Sequence, residues 1–165
     1  MAPEFSPEDI LRILERHRVR YVVVGGYAAT LHGSSQVTFD VDVTPKRDKE
    51  NLRRLSDAMA ELNARVWTND EPDGLPFGHD AESLGRANIW NLVTDHGRFD
   101  ITFKPAGTEG YEDLKRDAVR LNIFGIDVPV ASLADVVRSK ETAGREKDAN
   151  ALPVLRRLLE EGEPS

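Results

Sequence analysis

Val22-Val23-Val24-Gly25-Gly26-Tyr27-Ala28-Ala29-Thr30-Leu31-His32-Gly33, followed after a short spacer by Thr38-Phe39-Asp40-Val41-Asp42-Val43, is the stretch on which the fold of this chain turns. The β-branched run from Arg20 to Val24 stops at two glycines, which predicts a buried strand ended by a turn. Tyr27 to Leu31 then predicts a short helix. A glycine pair at that junction lets backbone N–H groups approach a phosphate with no Cβ in the way. From Gln36 to Val43 the residues alternate, which predicts a half-buried strand. Val37, Phe39, Val41 and Val43 are expected on its buried face, with Thr38, Asp40 and Asp42 on the polar one.

The chemistry follows from that alternation. Residues i and i+2 of a strand project to the same side, so Asp40 and Asp42 reach one ion together. Asp100, in Arg98-Phe99-Asp100-Ile101, repeats the apolar-acid-apolar pattern on a later strand and is the candidate third carboxylate. Three carboxylates suit hard Mg²⁺, or Mn²⁺ in its place, and such ions also touch substrate phosphates during in-line transfer. An acid-x-acid tripeptide alone equally describes a solvated strand face.

Outward from this stretch the chain alternates helical and strand signals. Ser6-Pro7-Glu8-Asp9 is a helix start, with Ser6 as cap and Ile10, Leu11 and Leu14 as the apolar face. Asp48 is expected to cap a helix carrying Leu52, Leu55, Met59 and Leu62. Arg65 to Trp67 is a short strand candidate. The turn Asp95-His96-Gly97 joins Ala87–Thr94 to Arg98–Phe103 as a hairpin, and a second hairpin, Val119–Phe124 with Ile126–Val130, pivots near Gly125. Tyr111 to Ala118 reads as helix, Ser132 caps another, and a last helix from Glu146 to Glu161 is expected to break or restart near Pro153. Residues 69 to 85 hold Pro72, Gly74, Pro76 and Gly78 and read as a long loop, a candidate lid or specificity loop.

At 165 residues and 39% hydrophobic, the chain fits one domain, with residues 1–130 as a core and 131–165 as a helical segment closing a cleft. It has no cysteine, which excludes a disulfide scaffold, a thiolate zinc site and a cysteine nucleophile. There is no apolar run long enough for a membrane span and no secretory leader at the start, so a cytoplasmic protein is expected. His17, His32, His79 and His96 lack metal-ligand spacing, and neither a Gly-x-Ser-x-Gly elbow nor a Gly-x-x-x-x-Gly-Lys loop occurs.

The net charge of −7 argues against a phosphate-bearing partner until it is divided. Asp70, Glu71, Asp73, Asp80 and Glu82 in one loop, and Glu160, Glu161 and Glu163 in the tail, carry eight of the 29 acids and none of the 22 bases. The remainder is close to neutral. It contains the basic runs Lys46–Arg54 and Arg138–Lys147, expected to bracket the acids.

With the spacing in view, Val24-Gly25-Gly26 … Asp40-Val41-Asp42-Val43 resembles the signature of the DNA polymerase β-like nucleotidyltransferase superfamily. The longer string through His32-Gly33 and Thr38-Phe39-Asp40-Val41-Asp42 is most similar to the AbiEii-type toxin nucleotidyltransferases. A looser likeness reaches Ser139-Lys140-Glu141-Thr142-Ala143-Gly144-Arg145-Glu146-Lys147-Asp148, so the motifs touch about two-thirds of the chain.

The resemblance implies an α/β (α+β) nucleotidyltransferase fold, a mixed, mostly antiparallel sheet with helices packed on one side and a helical C-terminal segment. It also implies Mg²⁺-dependent transfer of an NMP from an NTP to an acceptor hydroxyl. Asp40, Asp42 and Asp100 would be both catalytic and metal-binding. Gly25, Gly26 and Tyr27 would cradle phosphates. Lys140 would be the principal phosphate contact, with Arg145, Lys147 and Asp148 supporting the pocket.

The toxin likeness implies a tRNA 3′ end as acceptor and a cognate antitoxin as partner; the lack of a long apolar run leaves no membrane partner expected. The same plan serves transfer to a small molecule or protein, or a non-catalytic nucleotide-binding module. Two departures stand out: Ser34-Ser35-Gln36 replaces an Arg that many members carry before the acids. The Gly-Ser and Arg-Gly of small members paired with helical RNase-like partners are absent.

Overall fold

The computed structural model describes residues 4–162, so Glu163 of the acidic tail lies outside the described residues. In chain order the elements are α1 (Pro7–Arg16), β1 (Tyr21–Val24), α2 (Gly25–Leu31), β2 (Asp40–Pro45), α3 (Lys49–Leu62), β3 (Arg65–Val66) and α4 (Ala81–Gly85). There follow β4 (Ile89–Thr94), β5 (Gly97–Thr102), α5 (Tyr111–Asp117), β6 (Val119–Ile123), β7 (Ile126–Val130), α6 (Leu133–Ala143) and α7 (Glu146–Gly162). Among the described residues, no helix is long and apolar enough to cross a membrane.

The strands form one sheet in the order β3-β4-β5-β2-β1-β7-β6. The pairs β2–β5 and β1–β7 are parallel and the other four antiparallel, the mixed, mostly antiparallel arrangement expected. Val41 and Val43 are fully buried in the core with Ile10, Leu14, Leu55 and Met59 of α1 and α3. Alternation then turns Asp40 and Asp42 to the opposite face. The two-residue turn closing Thr94 onto Gly97 fixes the register of β4 on β5, and Phe124-Gly125, both at positive φ, closes β6 onto β7.

Caps form as the residue types dictate: Asp48 accepts from Asn51 N at 2.7 Å, and Ser132 from Asp135 N at 3.1 Å. Ser6 departs from this. It occupies the cap position of α1, but its hydroxyl donates to Asp9 at 2.7 Å instead of accepting from the backbone.

Four further expectations need correction. The strand predicted from Gln36 begins only at Asp40, and Val37 and Phe39 are 77% and 69% exposed, not buried. The reason is the neighbours' length. β1 ends opposite Asp42, and the first pair with β5 joins Asp40 to Arg98, so residues 36–39 have no strand to pair with.

The segment 69–85 is not a bare loop, and none of its residues lines the cleft. Leu75 bridges to Val66, Asp80 caps α4, and Leu84 is buried with its carbonyl accepting from the Trp90 indole at 3.0 Å. α7 runs unbroken through Pro153, because Leu152 and Leu155 hold that part of the helix on the core. Gly144, at φ +63°, makes the actual break between α6 and α7.

Finally, the basic run 46–54 does not line the cleft. Lys46 faces Asp48 and Glu112, Arg54 faces Glu50, and Arg47 donates to the Gly85 carbonyl.

Candidate active site

The junction of β1 and α2 sets the geometry. Val24 pairs with Asp42, which brings the following turn against that carboxylate. Gly25 is at φ +65°, and a Cβ there would lie 2.7 Å from Asp42 Oδ2, so only glycine fits on both conformational and steric grounds. On the other side of β2, Asp42 is in direct register with Asp100. Asp40, Asp42 and Asp100 each offer a carboxylate oxygen, and these oxygens all lie within 4.8 Å of one another.

Clustering three acids on a half-buried face perturbs their protonation. Burial pushes the Asp42 carboxyl well above the ordinary range, and Asp40 and Asp100 push the same way, against the Tyr27 N–H and the charge of Lys147. Burial, then a hydrogen bond shared with Asp40, pushes Asp100 up to about 7 against the pull of Arg98. Such a cluster is electrostatically incomplete without a cation. An all-carboxylate oxygen set is the donor chemistry of Mg²⁺ and Mn²⁺.

Neighbouring side chains orient the acids. Thr38 Oγ1 donates to Asp40 Oδ1 at 2.8 Å. Arg98 donates to Asp100 Oδ1 at 2.9 Å and to the Leu92 carbonyl at 3.0 Å, with its guanidinium 4.0 Å over the Trp67 ring. No motif in the sequence marks Thr38 or Arg98. Each stands two residues before an acid, which was the available signal.

The triad lies in a cleft of about 850 Å³, within the range of small-ligand sites. Gly25, Gly26, Lys140 and Arg145 line it, as does Lys147. The other two expected residues do not. The Tyr27 side chain is buried and its N–H bonds to Asp42. Asp148, fully buried, sits behind the wall, taking Lys140 Nζ at 3.4 Å and Arg145 Nε at 2.6 Å. Burial opposes its charge, yet the hydrogen bonds and charges of Arg145 and Lys140 hold it below the usual range.

Lys140 is therefore already paired. Lys147 lines the cleft with no ion pair among the described residues. The four histidines do structural work where partners are found: His17 pairs with Glu61, and His32 bonds the Ala131 carbonyl at 2.8 Å, tying α2 to the end of β7.

No family model matches the chain, and no curated protein matches it. Solved structures do. A protein of Thermotoga maritima described as a nucleotidyltransferase superposes with a TM-score of 0.52 at 19% identity, covering 96% of this chain and 97% of that one. The lincosamide antibiotic adenylyltransferase LnuA with lincomycin bound gives 0.62 at 15% identity, covering 94% and 99%. The antibiotic-resistance factor ANT(2″)-Ia in complex with adenylyl-2″-tobramycin gives 0.58 at 16%, covering 92% and 86%. The chain has the nucleotidyltransferase fold.

Proposed function

We propose that this protein is a divalent-metal-dependent nucleotidyltransferase that transfers an NMP from an NTP to an acceptor hydroxyl. One observation carries the reading: the register that sets Asp42 opposite Asp100 also sets Asp42 against the Gly25 turn, so a carboxylate triad and a phosphate-sized approach share one cleft. Asp40, Asp42 and Asp100 would hold the metal, which when bound supplies positive charge to the phosphate oxygens.

The rest is done by the chain. Gly25 and Gly26 line the cleft, where their N–H groups would receive the phosphates, and Lys147, Lys140 and Arg145, which also line it, would offset their charge. Asp100 takes the proton of the acceptor hydroxyl as its oxygen bonds to the α-phosphorus, and the bond to pyrophosphate breaks with its electron pair leaving on pyrophosphate.

Two acceptors suit this chemistry. The AbiEii-type likeness directs transfer to a tRNA 3′ end by a toxin with a cognate antitoxin. The neighbours seen with lincomycin and with adenylyl-2″-tobramycin direct it to a small molecule. A nucleotide-binding module without transfer is the remaining reading of the same site.

The test is transfer of label from each α-labelled NTP with Mg²⁺ and a cell extract, beside Asp40→Asn and Asp42→Asn. Transfer is expected to fall roughly a thousandfold in both. Undiminished transfer in both variants overturns the site, and binding of Mg²⁺·NTP with no transfer to anything favours the module.

A further inference from the structure

The two walls of the cleft differ in charge. On one side stand Gly25, Gly26 and, from the α6–α7 region, Lys147, which has no ion pair among the described residues, with Lys140 and Arg145, both paired with Asp148. On the other, the register of β4 on β5 places Asn91 beside Asp100 and Ile89 beside Thr102. All four line the cleft; Pro105 and Ala106 line it where the chain crosses to α6, with Gly107 against Thr142 and Arg138.

Among the described residues, the one cation that lines that second wall is Arg98, and it is already committed to Asp100, the Leu92 carbonyl and the Trp67 ring. Asn91 is exposed, and among the described residues no hydrogen bond reaches its side-chain amide. Ile89 is 54% exposed. Towards the opposite end of β5, beyond the Asp40–Arg98 pair, Val37 and Phe39 also open on the cleft. Three of the seven exposed large hydrophobic residues among those described therefore face this one opening.

An NTP carries its charge to the basic wall, which leaves the β4–β5 wall to the acceptor. Resting on the nucleotidyltransferase reading, we infer that the acceptor is a small, uncharged or cationic organic molecule with an apolar face, and that Ile89 and Asn91 select it. A polynucleotide would bring phosphates against Asp40, Asp42 and Asp100 with no free cation on its own wall to receive them.

The apolar ends also bound the acceptor's size. Arg98 and Thr102 mark them along β5, four residues or about 13 Å apart. That span suits two or three linked rings. The Asn91 amide, next to Asp100, hydrogen-bonds a polar group neighbouring the reacting hydroxyl, and Ile89 covers an apolar face.

The experiment separates a cell extract into a fraction below about 1 kDa and a nucleic-acid fraction, and offers each to the full chain with Mg²⁺ and each α-labelled NTP. Label is expected in the low-mass fraction. There, Ile89→Glu and Asn91→Ala raise the concentration of fraction needed for half-maximal rate by about tenfold or more, while Mg²⁺·NTP affinity measured by calorimetry stays at the wild-type value.

Label confined to RNA, or low-mass labelling that is unchanged in both variants, overturns the acceptor assignment and leaves nucleotidyl transfer standing. Label in neither fraction overturns the assignment as well. If Asp40→Asn and Asp42→Asn then bind Mg²⁺·NTP as the wild type does, the nucleotidyltransferase reading falls with it.

Discussion

Replacing Asp100 by Asn should stabilise the metal-free protein while abolishing transfer, and the sign of the stability change is what decides the matter. Asp100 is held at about 7 in the folded chain against an ordinary value of 3.8, which corresponds to about 4 kcal/mol of strain on the folded state at pH 8. The pull of Arg98 on the charged form is already contained in that value, so removing the charge gains at most about 4 kcal/mol, or roughly 8–16 °C in Tm for a chain of this length.

The linkage runs the same way. Because the folded pKa is raised, the strain is fully present above pH 7 and is relieved as pH falls from about 7 towards 4, where the unfolded chain also takes up the proton. The wild type should therefore melt higher at pH 6 than at pH 8 without metal, and Asp100→Asn should lose much of that difference. Mg²⁺ should raise the wild-type Tm at pH 8 and leave the variant nearly unmoved. Scanning calorimetry at both pH values reads all of this. If Asp100 merely completed an ion pair, its removal would strand a half-buried guanidinium and cost about 3–5 kcal/mol. A Tm that drops at pH 8 would refute the reasoning.

Gly25→Ala places a Cβ 2.7 Å from Asp42 Oδ2 at a positive φ, so kcat should fall about a hundredfold through the displaced carboxylate, and Mn²⁺ affinity, read by calorimetry, should fall with it. Lys147→Ala should raise KM for the NTP about tenfold with only a small change in Tm, since among the described residues it makes no ion pair and acts on Asp42 through its charge alone. Asp148→Asn should destabilise the chain at pH 7, because a buried carboxylate holding Lys140 and Arg145 is replaced by a neutral amide. The folded pKa of Asp148 is lowered, so this contribution is present above the ordinary carboxylate value and disappears as pH falls through the folded one. Melting curves of wild type and variant should therefore converge in acid.

What was legible in the sequence was local. The strand, glycine turn and helix from Tyr21 to Leu31 follow from a β-branched run meeting two glycines, and the β4–β5 hairpin from a turn short enough to dictate its own register. Asp40 and Asp42 follow from strand alternation alone. Asp100 was legible only as a repeated pattern. Its place opposite Asp42 depends on the parallel pairing of β2 with β5, which nothing local encodes. Where β2 begins was misread for the same reason: alternation continues back to Gln36, but a strand extends only as far as its neighbours do.

The site's electrostatics were harder to read because a charge counts only if it is free. Lys140, the phosphate contact that the motif implies, does line the cleft, but it is also paired with Asp148 in the next helix beyond the Gly144 break. Arg98 stands beside the triad and is taken by Asp100. The run 46–54 is basic in sequence and largely engaged in space by Asp48, Glu112, Glu50 and the Gly85 carbonyl. Among the described residues Lys147 lines the cleft without an ion pair, close enough to Asp42 for its charge to oppose the rise of that carboxyl. The net charge of −7 thus decides neither for nor against a phosphate ligand. Under the proposed function the unclaimed cations decide it: among the described residues Lys147 is the one that would receive the triphosphate, and no such cation lines the β4–β5 wall for a second polyanion.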